Sequence, residues 1–278
     1  MTALSARRTA PAAAGGAVSS VAARFFGSRL FVKAAAGILL LGIWEVCVRN
    51  FAAPFVARPL GVAEKFSSVV SDPEYWTATV STFGAVAAGL ALSIVAGTLI
   101  GLFMGRVRAA DRMLDFYVNG FYAMPMIAAL PLLTVWFGYN EEARLATIVF
   151  AALFSVVINV SDGARSVPRE FMEVARAYRA PRRSIWFDVT LMSSVPYMIA
   201  GVRLASGRAL VGAVLAEIFA SVDGLGMFIL SNAQGLRQNE AVVGVLMLAA
   251  FGIAFDALTN ATLRRWFPWY RREDRKAK

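Results

Sequence analysis

The chain has 278 residues, 58% of them hydrophobic, and a mean hydropathy of +0.61, above the usage of ordinary soluble domains. Its net charge of +10 does not point to nucleic acid, because the basic residues lie between and beyond long apolar runs rather than on one continuous face with interleaved aromatics. Histidine is absent and Cys47 is the only cysteine, which excludes His-based catalysis or metal ligation and any disulfide within the chain; Cys47 reads as inert packing in an apolar run.

Residues 1–30 are rich in Ala, Gly and Ser, without the compact apolar core and cleavage site of a signal peptide. They read as a flexible cytoplasmic tail, with a surface helix near Phe25 and Phe26 as the alternative. Six apolar segments follow, at 31–48, 80–104, 116–137, 145–160, 195–219 and 241–263, each near the roughly 20 residues that a bilayer requires. Together they make a transmembrane domain over 31–265, with a basic cytoplasmic tail at 266–278. The expected fold class is all-α, a polytopic membrane bundle of about six helices. Pro125 and Pro131 in the third segment free backbone carbonyls and bend it, which is tolerated where neighbours or a cavity re-satisfy the backbone.

The basic residues orient the segments. Arg7, Arg8, Arg24, Arg29 and Lys33 stand at the amino end, and Arg106, Arg108 and Arg112 follow the second segment. Six arginines from Arg165 to Arg183 follow the fourth, and Arg264, Arg265 and a basic tail follow the sixth. The opposite side carries only Arg49, Arg58, Lys65, Arg144 and Arg237. The positive-inside rule therefore places both termini in the cytoplasm of a multi-pass inner-membrane protein. No internal repeat is visible, which weakens architectures built from inverted halves.

The connection at 173–196 is too polar to enter a bilayer and too regular for a plain linker. Phe171, Val174, Ala175 and Tyr178 recur at helical spacing, while Arg169, Glu173, Arg176 and Arg183 fall largely away from that face. Pro181 breaks the helix, and Ile185, Trp186 and Val189 begin a second short amphipathic run. A cytoplasmic helix–turn–helix across the base of the bundle could pass force to a soluble partner. The bland alternative is a basic loop held to anionic membrane lipid.

Charges within or near the segments are the other candidates, because an ion in hydrocarbon costs several kcal/mol and must face protein or water. They are Glu45, Arg203, Arg208, Glu217 and Asp256. Arg203 could pair with Asp256. Arg208, nearer mid-span, could attract an anionic solute, although an interhelical pair is the favoured reading. Glu45 and Glu217 lie toward the external end with open roles. No glycine is followed by lysine, so the phosphate-cradling G-x-x-x-x-G-K-[ST] loop is missing and any ATP-driven motor sits on another chain.

The loop resembles that of the membrane permease subunits of binding-protein-dependent ABC importers, whose signature is E-A-A-x3-G-x9-I-x-L-P. Glu173, Ala175 and Leu191 match, and Val174 and Val189 are conservative replacements. Arg179 stands at the glycine and Met192 at the proline. A glycine would turn left-handed at little steric cost, whereas arginine is penalised by about 1 kcal/mol or more, so Ala180–Pro181 could make the turn differently. PYMIAGVRLASGRALVGAVLAEIFAS (196–221), MPMIAALPLLTVWFG (124–138), GIWEVCVR and GLGMFI look like the nitrate/sulfonate/taurine branch, and the likeness covers 40–265.

The resemblance implies a type I importer with two permeases, expected to be copies of this chain with a pore between them. Two cytoplasmic ATP-binding subunits and a periplasmic or lipid-anchored solute-binding protein complete it. ATP and Mg²⁺ would sit on the ATPase; this chain would hold no cofactor or metal and would not be catalytic. By motif position the loop helix docks in a cleft of the ATPase, which assigns coupling to Glu173, Val174, Ala175, Arg176, Arg179, Ala180 and Leu191. The solute stays open between a small anion, sulfonate- or nitrate-like, and the neutral or heterocyclic compounds that the branch also serves. Two rivals are an ion-gradient-driven transporter or channel, which would want a carboxylate relay at mid-membrane, and a membrane-embedded enzyme, against which the missing histidine argues.

Overall fold

The computed structural model describes residues 29–53 and 55–266. The expected tail over the first 28 residues, the surface helix near Phe25 and Phe26, and the basic tail beyond 266 lie outside them. Every regular element among the described residues is a helix. The chain divides into two compact units, Met1–Gly61 and Val62–Lys278.

In the first unit, α1 (Arg29–Phe51) has 23 residues, so it is about 35 Å long, enough for a hydrocarbon core of roughly 30 Å. Its side chains are mostly exposed, and Cys47 is exposed rather than packed. Glu45 pairs with Arg49 one turn on. Its second oxygen accepts from the Leu60 amide at 3.0 Å, capping the start of α2 (Pro59–Val70).

The second unit contains α2 from Val62 onward, α3 (Pro73–Arg106), α4 (Arg108–Ala123), α5 (Met126–Phe137), α6 (Glu141–Arg165), α7 (Arg169–Ala177), α8 (Arg182–Ala220), α9 (Leu225–Gln234) and α10 (Gln238–Trp266). Local signals set several starts. Asp72 caps α3 through the Glu74 amide with Pro73 in its first turn, and Asn140 caps α6 through the Glu142 and Ala143 amides. Among the described residues α3, α6, α8 and α10 are long and apolar enough to cross a membrane, and α4 with α5 adds a fifth crossing if that pair is one span.

Three sequence expectations change. The segment at 116–137 is sharply broken rather than gently kinked, because α4 and α5 meet at 103°. Pro125 leads into α5 with extended backbone where α4 has just ended, and Pro131 lies inside α5 without ending it. The run at Ile185–Val189 is not a separate short helix; it belongs to α8, which begins at Arg182 rather than near Val195. Finally, α2 and α9 are short helices in stretches read as external loops.

The core is a sandwich of α6 between α3 and α8. On the α3 side a methyl added at Gly89, Gly97 or Gly105 would lie 2.4 Å from Ile148, 2.7 Å from Val156 or 2.5 Å from Ala164. On the α8 side Ala205, Ala209, Ala213 and Gly212 are buried against the same helix. Hydrophobic driving force fades when the solvent is lipid, so backbones brought this close by small residues gain dispersion contacts that larger side chains would forbid. α6, buried on both sides, fixes the relative positions of the two elements that carry the functional groups.

Candidate functional site

The loop end of the bundle begins where α6 stops. Arg165 closes the last turn of α6 by pairing with Asp111, and it lies 3.7 Å from both Asp115 and Asp162. Pro168 then precedes α7, none of whose residues is buried. Phe171 and Val174 are each 56% exposed and Tyr178 84%. Their face borders an open groove of about 1510 Å³ whose other wall includes Asp188, Val189, Met192 and Tyr197. The apolar stripe thus has no core to fill within this chain. Glu173 is exposed and takes part in no ion pair among the described residues. The Arg106 guanidinium at the end of α3 donates to the Met172 sulfur at 3.0 Å.

The turn between α7 and α8 is made at Arg179 itself, which adopts φ +51°. The Arg179 amide donates to the Arg176 carbonyl at 2.9 Å and the Ala180 amide to the Ala175 carbonyl at 2.8 Å, the two bonds of a Schellman motif. Ala180–Pro181 therefore does not replace the left-handed turn; arginine occupies it. Leu191 closes a π-helical stretch, Ile185–Leu191, inside α8. This wider winding is rare and tends to mark functional segments.

Further along α8, Arg203 forms an ion pair with Asp256 of α10. Arg208 pairs between helices, with Tyr122 of α4 rather than with an acidic side chain among the described residues. Its guanidinium carbon lies 3.8 Å from the centre of the Tyr122 ring, and Nη1 donates to the Tyr122 carbonyl at 3.3 Å. That carbonyl belongs to the last turn of α4, where the break before Pro125 leaves it without a helical acceptor role. Arg208, Tyr122, Phe121, Phe150, Phe154 and Met126 line a cavity of about 350 Å³.

At the opposite end of α8 lies a network that the sequence did not reveal. Glu217 is fully buried. One oxygen accepts from the Thr82 hydroxyl at 2.7 Å and from Arg144 Nη1 at 3.3 Å; the other accepts from the Gly226 amide at 2.7 Å. The Leu225 amide donates to Thr82 Oγ1 at 2.8 Å, so the first turn of α9 is capped from two other helices. Arg144 also donates to Ser81 Oγ and the Asp223 carbonyl, and it pairs with Glu141. Gly224 is required by close approach, since an added methyl would sit 2.3 Å from the Glu217 carboxyl carbon. In the sequence Arg144 reads only as an external charge and Thr82 carries no signal, because these partners stand 73 and 135 residues from Glu217. Among the described residues no group of three or more His, Cys, Asp or Glu side chains is placed to hold a metal ion.

The family described as "Binding-protein-dependent transport system inner membrane component" matches residues 79–271. The formylaminopyrimidine transport permease ThiX of Halalkalibacterium halodurans is 25% identical over 237 residues, covering 85% of this chain and 94% of the relative. The nitrate import permease NrtB of Leptolyngbya laminosa is 26% identical over 251 residues, covering 86% and 88%. A chain of the inward-facing MetNI methionine ABC transporter has the same fold, with a TM-score of 0.56 at 19% identity over 69% of this chain and 98% of that one.

Proposed function

Since the chain belongs to the family of binding-protein-dependent transport system inner membrane components, we propose that α7 and its turn are where a separate ATPase grips this importer permease. The observation that carries the reading is the apolar face Phe171–Val174–Tyr178, exposed beside an open groove on a helix that buries nothing in its own chain. Glu173 adds a carboxylate beside that face with no ion-pair partner among the described residues. A polar charge run held to lipid would not need the apolar stripe, so a protein cleft is the better occupant.

The mechanism follows from what the chain has and lacks. Without a phosphate-binding loop, ATP and Mg²⁺ bind on the ATPase, and this chain supplies the pathway and no catalytic group. Two copies of the chain form the pore between them. Closure of the nucleotide-bound motor draws the two α7 elements together and opens the pore outward to the solute-binding protein, and hydrolysis reverses it. The lysine and arginine asymmetry puts the α7 end and both termini in the cytoplasm, so the Glu217 network faces the binding protein's side. The solute is small, and the relatives' names span an anion and a neutral heterocycle.

The test is Glu173→Lys in the complete importer reconstituted in liposomes. Like-charge contact at a docking surface costs several kcal/mol, so ATPase co-purification and hydrolysis stimulated by the binding protein are expected to fall sharply while membrane insertion is kept. Arg7→Glu controls for general loss of basic charge and is expected to do much less. Coupling by Glu173→Lys equal to that of the unaltered chain ends this reading.

A further inference from the structure

Most ionic groups deep in the described helices are answered by an opposite charge: Arg203 by Asp256, Arg144 by Glu217, Glu45 by Arg49. Arg208 is the exception. It lies twelve residues before the end of α8 at Ala220, about 18 Å along the axis. A guanidinium presents five N–H donors, and the described residues accept from one of its nitrogens. The half-buried side chain borders a cavity walled by Phe121, Phe150, Phe154 and Met126. An arginine retained there without a counter-charge, where a charge is costly, marks a pathway.

Resting on the reading of this chain as an importer's pathway, we infer that Arg208, held by Tyr122, is an oxyanion-recognising subsite within the membrane domain. Three features fit that chemistry. The guanidinium fork matches a planar or tripodal oxyanion through two parallel N–H bonds, which an ammonium cannot do. The Tyr122 ring and its carbonyl hold the fork in place by a cation–π contact and one hydrogen bond, leaving the remaining donors unspent. The cavity, about 350 Å³, is at the small end of ligand pockets, and its aromatic walls lower the local dielectric so that a single charge pair counts for more. No acidic group lines the cavity to repel the anion. The break at Pro125 is what makes the subsite: it frees the Tyr122 carbonyl to receive the guanidinium.

The experiment measures anion binding by the purified full-length permease, with nitrate and methanesulfonate as probes titrated against chloride at constant ionic strength. The readout is the thermal unfolding midpoint, each variant referred to its own chloride baseline. Both probes are expected to raise the midpoint. In Arg208→Gln the apparent affinity should fall about tenfold or more, the loss of a charge-assisted bond, while Arg208→Lys keeps part of it. Arg203→Gln should leave the response intact. An equal response in Arg208→Gln means an adventitious ion only and overturns the inference, as does no response in the unaltered chain. Dissociation of a dimer by Arg208→Gln with no anion response would assign Arg208 to a carboxylate of a second copy, and overturns it too. ATPase co-purification with the unaltered chain is scored separately: its absence alongside an Arg208-dependent anion response would sink the importer reading and spare the subsite.

Discussion

The two ends of α8 are built on opposite principles. At Glu217 the chain completes itself: both carboxylate oxygens are engaged, the compensating Arg144 comes from α6, and the start of α9 is capped by residues of two other helices. At Arg179 the chain stops short of completion. Aromatic and aliphatic side chains face an open groove, a bulky residue occupies a left-handed turn, and the helix that follows is wound wide. The same helix therefore carries a closed, self-sufficient terminus and an open one whose apolar contacts are left unfilled. Stability of the isolated chain should depend on the first, and assembly on the second.

The largest effect should come from Glu217→Ala. It takes from Arg144 its buried counter-charge and leaves the Gly226 amide and the Thr82 hydroxyl without their acceptor in a buried site, and breaking a buried pair by removing one partner costs about 3–5 kcal/mol. The thermal unfolding midpoint of the purified permease should drop accordingly; a variant that unfolds with the unaltered chain would erase the contrast drawn here. A smaller and opposite effect is expected from Arg179→Gly. Glycine removes the steric penalty of the left-handed turn, about 1 kcal/mol, so hydrogen exchange at the Ala180 amide should slow about fivefold. Exchange unchanged or faster would mean that the arginine side chain holds the turn by contacts of its own. The smallest effect on the chain alone belongs to Tyr178→Ser, at an exposed position where substitutions stay within about 0.5 kcal/mol. Its unfolding midpoint should barely move while ATPase co-purification falls, and a parallel loss of both would show that α7 is a structural part of the bundle.

The apolar spans and the α7 stripe were legible in the sequence because each is a local pattern: a run of about 20 apolar residues, or a 3.6-residue period ended by proline. The family resemblance was legible too, in a loop signature that survives two departures. Arg179 shows the limit of that legibility. Its position suggested a left-handed turn, but only the backbone decided between Arg179 and Ala180–Pro181. The Glu217 network was hidden because its partners are separated by 73 and 135 residues, and nothing in a one-dimensional pattern joins Thr82 to Glu217. The π-helical winding was equally invisible, since Ile185, Trp186 and Val189 read as amphipathic in either winding. Short helices such as α2 and α9 were missed because ten or twelve residues give too weak a hydropathy signal to stand out between spans.

The seam of glycine and alanine along α3, α6 and α8 has a mechanical corollary. With β-carbons removed on one side, the opposing backbones and β-branched residues of α6 fit against bare surface, and displacing one helix along another by a residue would bring a side chain to where 2.4–2.8 Å separates a missing methyl from its neighbour. Such a joint has no slip plane. Close-packed interfaces of this kind switch between discrete arrangements or move whole, so under the proposed docking a force applied at α7 would reach these three helices as a single block. Compliance must then reside in the elements outside the seam, chief among them the corner between α4 and α5, which is also where Arg208 takes its hold.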